Sequence, residues 1–236
     1  MQLSQPNNHE NPLGQPIGFP VPNWQARPIP QGTLLTGQYC SLVHLDMQHA
    51  ADLFTAYVAD QENHIWTYLP YGPFADLASF SAWLSKQAVS TDPLFYSVLD
   101  KTGKAVGVAS YLRIDPANGV IEVGHINFSP VLQRTQASTE AMYLMMRHVF
   151  DDLGYRRYEW KCNALNQPSC QTAKRLGFIF EGIFRQAAVV KEHNRDTAWF
   201  SILDSEWPAL KQKFETWLAA SNFDATGYQL KKLESS

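Results

Sequence analysis

The sequence predicts a mixed α+β domain in which helices flank a central, twisted and mostly antiparallel sheet. Three consecutive segments, at residues 95–99, 105–114 and 120–128, alternate apolar and polar side chains with the period of a β-strand. The turns between them, at residues 100–103 and 116–119, end in glycine and have hairpin chemistry. A helical pattern separates the third segment from a short strand at residues 157–162, so we expect these two strands to run parallel.

The composition is that of a single globular domain with extra residues at both ends. Of the 236 residues, 45% are hydrophobic and 17% are charged, which is enough for a core in a domain of about 200 residues. We assign the domain to residues 33–220, between an arm at residues 1–32 and a polar tail at residues 221–236 that is expected to fray. Seven prolines in the arm oppose helix and strand ladders, so we expect an extended segment.

Charge, hydropathy and cysteine content exclude several classes of partner. The formal net charge is −3, without the basic surplus of a sequence-blind nucleic-acid binder. No apolar run approaches the roughly 18 residues of a membrane span, and the N-terminus lacks the apolar core of a signal peptide. Three cysteines without ligand spacing indicate free thiols in a reducing compartment. We therefore expect a cytoplasmic protein with no nucleic-acid or membrane partner.

The N-terminal third combines the arm with two helices and an aromatic loop. Apolar side chains in the arm can anchor it across its own domain or a partner subunit, which leaves a homodimer open; they are Phe19, Val21, Trp24 and Ile29. A first strand is predicted at residues 39–45, followed by helices at 47–59 and 77–90 with Asp46 and Asp76 as N-caps. The loop at residues 64–74 is either a hydrophobic plug or the wall of a substrate cleft formed by Trp66, Tyr68 and Tyr71.

The middle of the chain contains a strand, a polar loop and a helix, from residue 120 to near residue 153. The loop at residues 133–139 precedes the helix, whose first N–H groups have no partner within it, so this unit can hold a phosphate. Further along, a loop at residues 163–168 leads into a short helix at 169–176 that Gly177 ends. A hairpin at residues 178–203 and a helix at 205–219 complete the domain.

The order of these motifs resembles the GNAT superfamily of acyl-CoA-dependent N-acetyltransferases. The motifs are a meander, the loop Q-R-T-Q-A-S, a helix, a strand, N-Q-P-S, a second helix and R-L-G-F. Residues 124–128, 166–178 and 195–207 are most similar to the branch related to ribosomal-protein N-terminal acetyltransferases. The resemblance covers roughly residues 37–207 and implies a GNAT fold, in which one parallel strand pair splays to bind coenzyme A.

The resemblance implies acetyl-CoA as the cofactor and indicates which residues bind it. The family's pyrophosphate loop falls on Gln133, Arg134, Thr135, Gln136, Ala137, Ser138 and Thr139. Gln136 stands where glycine is usual, which is tolerable only if its side chain points away from the phosphates. The strand residues Ile126, Asn127 and Phe128 are expected to offer backbone groups to the pantetheine arm, as a strand edge does. Asn166 is expected to bind the same arm with its side-chain amide, unless it only caps the loop, and the resemblance also places Ser169 next to the cofactor.

Acetyl transfer to an amine requires a base for the amine and an acid for the departing thiolate. Glu122 matches the spacing of a base glutamate in part of the superfamily, with a solvent-facing or paired carboxylate as the alternative. His125 has a suitable intrinsic pKa, with a packed histidine as the alternative. Glu122 and His125 should point to opposite faces of a regular strand, unless a bulge lies between them.

The resemblance places the acid in the N-Q-P-S motif. Many relatives have a tyrosine acid at the position of Ala173, so the usual acid is absent here. Ser169 matches the serine proposed for this role in the ribosomal-type branch, with a helix N-cap as its structural alternative. The expected activity is direct transfer of acetyl, in a ternary complex, to a primary amine of a peptide, protein N-terminus or small molecule. The alternative is a GNAT-fold module that binds acyl-CoA as a sensor or structural ligand without turnover.

Overall fold

A computed structural model describes residues 9–233 and contains one eight-stranded sheet, one small two-stranded sheet and five α-helices within that range. The strands are β1 (His9–Glu10), β2 (Pro16–Ile17), β3 (Leu35–Thr36), β4 (Ser41–His44), β5 (Leu94–Leu99), β6 (Ala105–Asp115), β7 (Val120–Phe128), β8 (Arg157–Asn163), β9 (Ile179–Val190) and β10 (His193–Leu203). The helices are α1 (Ala50–Tyr57), α2 (Leu77–Gln87), α3 (Gln136–Arg147), α4 (Gln167–Arg175) and α5 (Trp207–Leu218).

The large sheet has the strand order β3-β4-β5-β6-β7-β8-β10-β9, and every neighbouring pair is antiparallel except β7 and β8. One core lies between the sheet and the helices α3, α4 and α5. A second core on the other face is formed with α1 and α2. The predicted mixed fold, with its meander, single parallel pair and flanking helices, is confirmed.

The two parallel strands separate partway along their length. β7 and β8 pair from Val120 opposite Arg157 to Val123 opposite Trp160. Beyond this point β7 runs on to Phe128 without β8 as a ladder partner, while the other edge of β8 stays paired with β10 as far as Asn163. A gap therefore opens in the middle of the sheet, and we call it the splay. The predicted splayed pair is confirmed.

A bulge interrupts β7 inside the splay. Gly124 lies opposite Ser110 and Asn127 lies opposite Val108, so three steps along β7 match two steps along β6. The extra residue lies in the stretch that contains His125, whose φ of 49° is left-handed. A histidine in this conformation is uncommon and indicates a backbone held by its surroundings.

The helices begin and end for local reasons that the sequence partly predicts. Asp76 accepts a hydrogen bond from the backbone N–H of Ser79 at 2.7 Å and caps α2 as predicted. Asp46 caps a short 3-10 turn that leads into α1, so the first helix begins later than expected. Gly177 has a φ of 92° and ends α4, as predicted.

The described part of the arm packs on its own domain. The Trp24 indole N–H donates to the backbone oxygen of Ala117 at 2.7 Å, and the Arg27 N–H donates to that of Pro116 at 2.9 Å. The Trp24 ring occupies the space that a Cβ on Gly119 would need. The other predicted anchors, Phe19, Val21 and Ile29, are exposed. One tryptophan, together with backbone bonds, therefore holds this segment.

The C-terminal tail is folded as far as residue 233, which corrects the expectation that it frays. The Asn222 amide donates to the backbone oxygens of Trp217 and Lys231, and its side-chain oxygen accepts from the N–H of Lys231. Leu233 is buried against the core around α5. The sequence-based expectation rested on the polarity of the tail and missed the bonds that one buried asparagine can make.

Candidate active site

The start of α3 forms one end of the splay and has the features of an anion site. Thr135 caps the helix by accepting from the backbone N–H of Ser138 at 3.1 Å. Arg134 just before it has a φ of 61°, which turns the chain into the helix. The N–H groups of the first helical residues, Gln136 and Ala137, have no acceptor within the helix, so they remain free for an anion.

Gln136 belongs to the first turn of α3, and its side chain leads away from the helix start. Its amide donates to the backbone oxygen of Gly227 in the tail at 2.9 Å. Among the other predicted loop residues, the Gln133 amide donates to the backbone oxygen of Phe128, and the Ser138 hydroxyl donates to that of Thr135. Thr139 is buried and accepts from Arg175 of α4. The Gln136 side chain, which stands where glycine is usual, is therefore accommodated by its hydrogen bond to the tail.

The β7 edge in the splay provides the second element of a site for an extended ligand. The backbone oxygen of Asn127 accepts from the Tyr57 hydroxyl, whereas its side-chain oxygen is buried and has no hydrogen-bond partner within residues 9–233. Ile126 lies at the bulge with its side chain against the α3 core. This edge and the N–H groups of α3 together fit a ligand with both amide and phosphate groups, as coenzyme A has.

Ser169 lies on the opposite side of the splay, in the first turn of α4. The indole N–H of Trp160 on β8 donates to the Ser169 hydroxyl oxygen at 3.0 Å. An indole nitrogen can only donate, so the hydroxyl hydrogen of Ser169 is left to donate elsewhere. The Cys162 and Cys170 sulfur atoms lie beside it, 3.5 Å apart. Burial raises the pKa of Cys162 to about 12, so this thiol is a poor nucleophile near neutral pH.

Asn166, and not Ser169, caps α4. The Asn166 side-chain oxygen accepts from the backbone N–H of Ser169 at 3.2 Å, and the helix begins at Gln167. The cap fixes which way the Asn166 amide faces, and its NH₂ group remains a donor for a ligand. The alternative in which Ser169 is the N-cap is therefore wrong, because the helix starts two residues earlier than predicted.

Glu122 is buried within a row of ion pairs whose residues come from four strands, β6, β7, β8 and β9. Its carboxylate accepts from Arg113 at 2.7 Å and from Lys161 at 2.8 Å. Lys161 also contacts Glu159, and Arg157 joins Glu159 to Glu181. Burial raises the pKa of the Glu122 carboxyl, while Lys161 and Arg113 oppose that shift. The Glu122 carboxylate is thus paired with cations and does not face solvent.

His125 faces the same side of the sheet as Glu122. Its ring lies 5.1 Å from that of Phe95, which pairs with Ser110 on the face that carries Glu122. The expectation that the two residues point to opposite faces is therefore wrong. The extra residue of the bulge shifts the alternation of side chains, so that both point to the same face. The Nδ1 atom of His125 lies 3.2 Å from the Tyr71 hydroxyl. Burial, with smaller contributions from Arg113 and Arg195, lowers the pKa of His125 to about 4.

The aromatic loop combines both structures considered for it. Trp66 is buried among Tyr57, Tyr71 and Phe74, so it forms a plug and does not line a cleft. Tyr71 extends the plug to His125, with the two rings stacked at 5.6 Å. The Tyr68 hydroxyl donates to the backbone oxygen of Leu165 at 3.3 Å, which connects the loop to the segment before α4. Tyr68 and Tyr71 are thus the members of this group that border the splay.

Sequence reasoning missed four residues of the site: Arg113, Trp160, Lys161 and Arg195. Lys161 follows Glu159 at the strand period, which was a sign that both share a face with Glu122 across the parallel pair. Trp160 showed no such sign, because an apolar strand position is ordinarily core. Arg195 lies beyond the end of the β8 pairing, and only the assembled sheet brings it to the splay.

Comparisons with known proteins agree with this geometry. Residues 41–179 match the family described as the acetyltransferase (GNAT) domain. A crystal structure of a GCN5-related N-acetyltransferase from Brucella melitensis has a TM-score of 0.89 and 52% identity, and covers 90% of this chain and 97% of that one. A probable GNAT-family acetyltransferase from Chromobacterium violaceum has a TM-score of 0.76 and 41% identity, over 82% of this chain and 98% of that one.

A curated relative supports the particular branch. The ribosomal-protein-serine acetyltransferase of Escherichia coli (strain K12) is 31% identical over 107 residues, which are 45% of this chain and 59% of that relative. The family match and the Brucella melitensis structure identify the class as an acyltransferase, and the splayed parallel pair agrees with that class. The chain belongs to the GNAT acetyltransferase family, and its predicted resemblance to the ribosomal-protein acetyltransferase branch is confirmed.

Within residues 9–233, no helix combines the length and apolar character needed to cross a bilayer.

Proposed function

We propose that this acyltransferase moves an acetyl group from acetyl-CoA to a primary amine within a ternary complex. The observation that supports the proposal is the splay, because the start of α3 and the Ser169 hydroxyl border the same gap in the sheet. Catalysis of acyl transfer requires binding, a donor to developing negative charge and a route for the amine proton. The chain has residues for each of these tasks.

The residues that would hold acetyl-CoA come from three elements. The N–H groups at the start of α3, within the loop from Gln133 to Thr139, would accept the pyrophosphate. The β7 edge at Ile126, Asn127 and Phe128 would receive the pantetheine amides, and Asn166 would donate to the same arm. When bound, this group supplies the thioester whose carbonyl carbon is attacked by the amine.

Ser169 would donate a hydrogen bond to the thiolate as it departs. The Trp160 indole N–H donates to the Ser169 oxygen, so the hydroxyl hydrogen of Ser169 points away from the indole. The position that carries a tyrosine in many relatives is Ala173, which is buried here, so a side chain at that position would point into the core. Ser169 is therefore the donor that the geometry supports for the acid role.

Two residues remain candidates for the base. His125 is uncharged at neutral pH because its pKa is lowered to about 4, so it can accept a proton, but only weakly. Glu122 has its oxygens engaged by Arg113 and Lys161, so it would act after Arg113, the exposed partner, moves away. We assign the base role to this pair of residues, which act directly or through water. Both lie on the face of the sheet that packs against α1 and α2, and we call this face the acceptor side.

The acceptor class is a primary amine on a peptide, a protein N-terminus or a small molecule. The curated Escherichia coli relative is by name a ribosomal-protein-serine acetyltransferase, which favours a protein N-terminus. Tyr68 and Tyr71 at the border of the splay favour an acceptor with an apolar or planar part. Three free thiols are consistent with a reaction in the cytoplasm. The alternative is an acyl-CoA-binding module without turnover, which the substitutions at Gln136 and Ala173 favour.

Replacement of the serine tests the proposal. We expect Ser169→Ala to slow release of coenzyme A in the presence of a panel of amines by about 10- to 100-fold, because one charge-assisted donor is lost. Acetyl-CoA affinity, measured by calorimetry, should change little. Thr172→Ala on the exposed face of α4 is the matched control, since its hydroxyl donates to the Pro168 backbone oxygen within the same helix.

Three results would contradict parts of the proposal. Absence of acetyl-CoA binding by the wild-type protein would contradict both functions. Binding of acetyl-CoA without release of coenzyme A in the presence of any amine would support the alternative, a module without turnover. Equal turnover by the wild type and Ser169→Ala would remove Ser169 from the reaction.

A further inference from the structure

The charges around Glu122 form a balanced set on the acceptor side of the sheet. Three cations and three carboxylates are joined in one row: Arg113, Glu122, Lys161, Glu159, Arg157 and Glu181. Each carboxylate has at least one cation within 2.8 Å. Each carboxylate of this row therefore already has a cation partner at salt-bridge distance before a further cation approaches the splay.

Arg195 is such a further cation. It lies on β10 beyond the residues that pair with β8, where Thr197 is opposite Asn163, so it borders the open end of the splay. Its Nε–H donates to the Thr197 hydroxyl at 3.2 Å, which places it on the face that carries Lys161 and Trp199. The side chain is partly buried, and within residues 9–233 it forms no salt bridge.

The neighbouring carboxylate does not compensate Arg195. The Asp196 Oδ1 atom accepts from the backbone N–H of Gln186 at 2.7 Å and from the Asn194 amide at 3.0 Å, which holds it in the β9–β10 hairpin. Arg195 instead acts on the site, since its charge contributes to the lowered pKa of His125. Burial lowers the pKa of the Arg195 guanidinium itself, and smaller opposing contributions from Cys162 and Glu122 do not offset that effect.

The geometry of the guanidinium selects the kind of anion that fits. Because Thr197 occupies Nε, the two terminal nitrogens remain as a parallel pair of donors. A planar pair of donors matches the two oxygens of a carboxylate, with two short charge-assisted bonds. A cationic acceptor such as a polyamine would instead meet Arg113 and Arg195 with like charge, which is unfavourable.

We propose that the amine acceptor carries a carboxylate, which Arg195 binds while the amino group lies toward His125. This rests on the proposed function, because it names the acceptor class of the same site. The carboxylate belongs either to a free amino acid or to an acidic side chain near the N-terminus of a peptide. In both cases Arg195 is a specificity-determining residue.

Matched acceptor pairs test the proposal with the 236-residue chain and acetyl-CoA. One pair is L-phenylalanine and L-phenylalaninamide, and the other is two tripeptide amides that begin with Ala-Asp or Ala-Asn. We expect one carboxylate member to be preferred by about 10- to 100-fold in kcat/KM, the value of a charge-assisted pair. The pair that shows the preference identifies the source of the carboxylate.

Substitutions connect the preference to Arg195. Arg195→Gln should bring the ratio within a pair close to one by slowing only the carboxylate member, and Arg195→Lys should retain part of the preference. Arg185→Gln is the matched control, because Arg185 is an exposed cation of the same hairpin whose charge acts on Asp196. It should leave the ratio unchanged.

A binding measurement separates this inference from the proposed function. N-acetyl-L-phenylalanine, its amide and the acetylated peptides are titrated into the wild type and Arg195→Gln by calorimetry. An Arg195-dependent preference in binding without turnover would contradict the proposed function and keep the inference. Equal use or binding within both pairs, a ratio that Arg195→Gln does not change, or a loss of acetyl-CoA affinity in that variant would overturn the inference.

Discussion

His125 combines three properties that depend on one another. The bulge gives it a left-handed backbone, burial removes water from its ring, and Arg113 and Arg195 add positive potential. Each of the last two effects disfavours the imidazolium, so the ring stays neutral while it is stacked on Tyr71. A neutral imidazole can take part in proton transfer without repelling a protonated amine.

The lowered pKa of His125 has a measurable effect on stability. The unfolded chain takes up a proton at this residue near pH 6.5, whereas the native protein does so only near pH 4. Between these values the unfolded state binds more protons, so the free energy of unfolding falls as the pH falls. His125→Asn, which suits a left-handed φ, should remove up to about 3 kcal/mol of this pH dependence.

The measurement is urea unfolding of the wild type and His125→Asn at several values from pH 4 to pH 7.5. Subtracting the two curves cancels the other titrating groups, provided that they do not contact His125. A difference that stays constant with pH would show that His125 keeps its ordinary pKa in the folded protein.

At single positions, the sequence located candidates more readily than it located their partners. Ser169 and Asn166 were found through the order of motifs. Their partners depend on the register of β8 against β7 and on a turn of the chain at Arg113. These two features bring Trp160 to Ser169, and bring Lys161 and Arg113 to Glu122. Contacts between residues distant in sequence are set by strand register, which a single sequence leaves open.

At the level of elements, the bulge in β7 was the decisive feature that the sequence did not show. A bulge with a left-handed residue is ordinarily marked by glycine, and here the residue is histidine. The strand pattern therefore appeared regular and put Glu122 and His125 on opposite faces. The start of α3 was predicted because loop polarity and helical period change at the same point.

Gln136 gives a prediction at this level. Gln136→Ala removes the bond to the Gly227 backbone oxygen but keeps the backbone N–H that is proposed to face the pyrophosphate. We expect acetyl-CoA affinity to stay within about twofold of the wild type, because backbone groups form the anion site. The tail should exchange its amide hydrogens faster near Gly227, since a tie to α3 is lost.

Calorimetry with acetyl-CoA and hydrogen exchange of the tail check the two parts separately. Gln133→Ala is a useful comparison, because its amide bonds the Phe128 backbone oxygen at the β7 edge and not the tail. A tenfold loss of acetyl-CoA affinity in Gln136→Ala would mean that the side chain itself contacts the ligand.

For the whole molecule, the topology followed from the sequence because its connections are short and its patterns change clearly. Hairpin turns, one crossover helix and a final hairpin leave few arrangements of the strands. The way in which the arm and the tail pack on the domain did not follow from the sequence. Trp24 and Asn222 hold the arm and the tail through bonds to backbone groups, and polar or proline-rich composition gave no sign of them.

Glu140 connects α3 to the opposite edge of the fold and provides the last prediction. Its buried carboxylate accepts from three consecutive backbone N–H groups, those of Gln38, Tyr39 and Cys40, at 2.6–2.8 Å. Glu140→Gln keeps the shape but turns an NH₂ group toward these donors, so we expect a loss of about 2–4 kcal/mol. The midpoint of urea unfolding should fall without a change in the m-value, whereas the exposed control Glu62→Gln should stay within about 0.5 kcal/mol of the wild type. Because this contact fixes the β3–β4 turn against the helix that begins at the splay, the variant should also bind acetyl-CoA more weakly. An unchanged midpoint would show that water or another group satisfies the three N–H groups equally well.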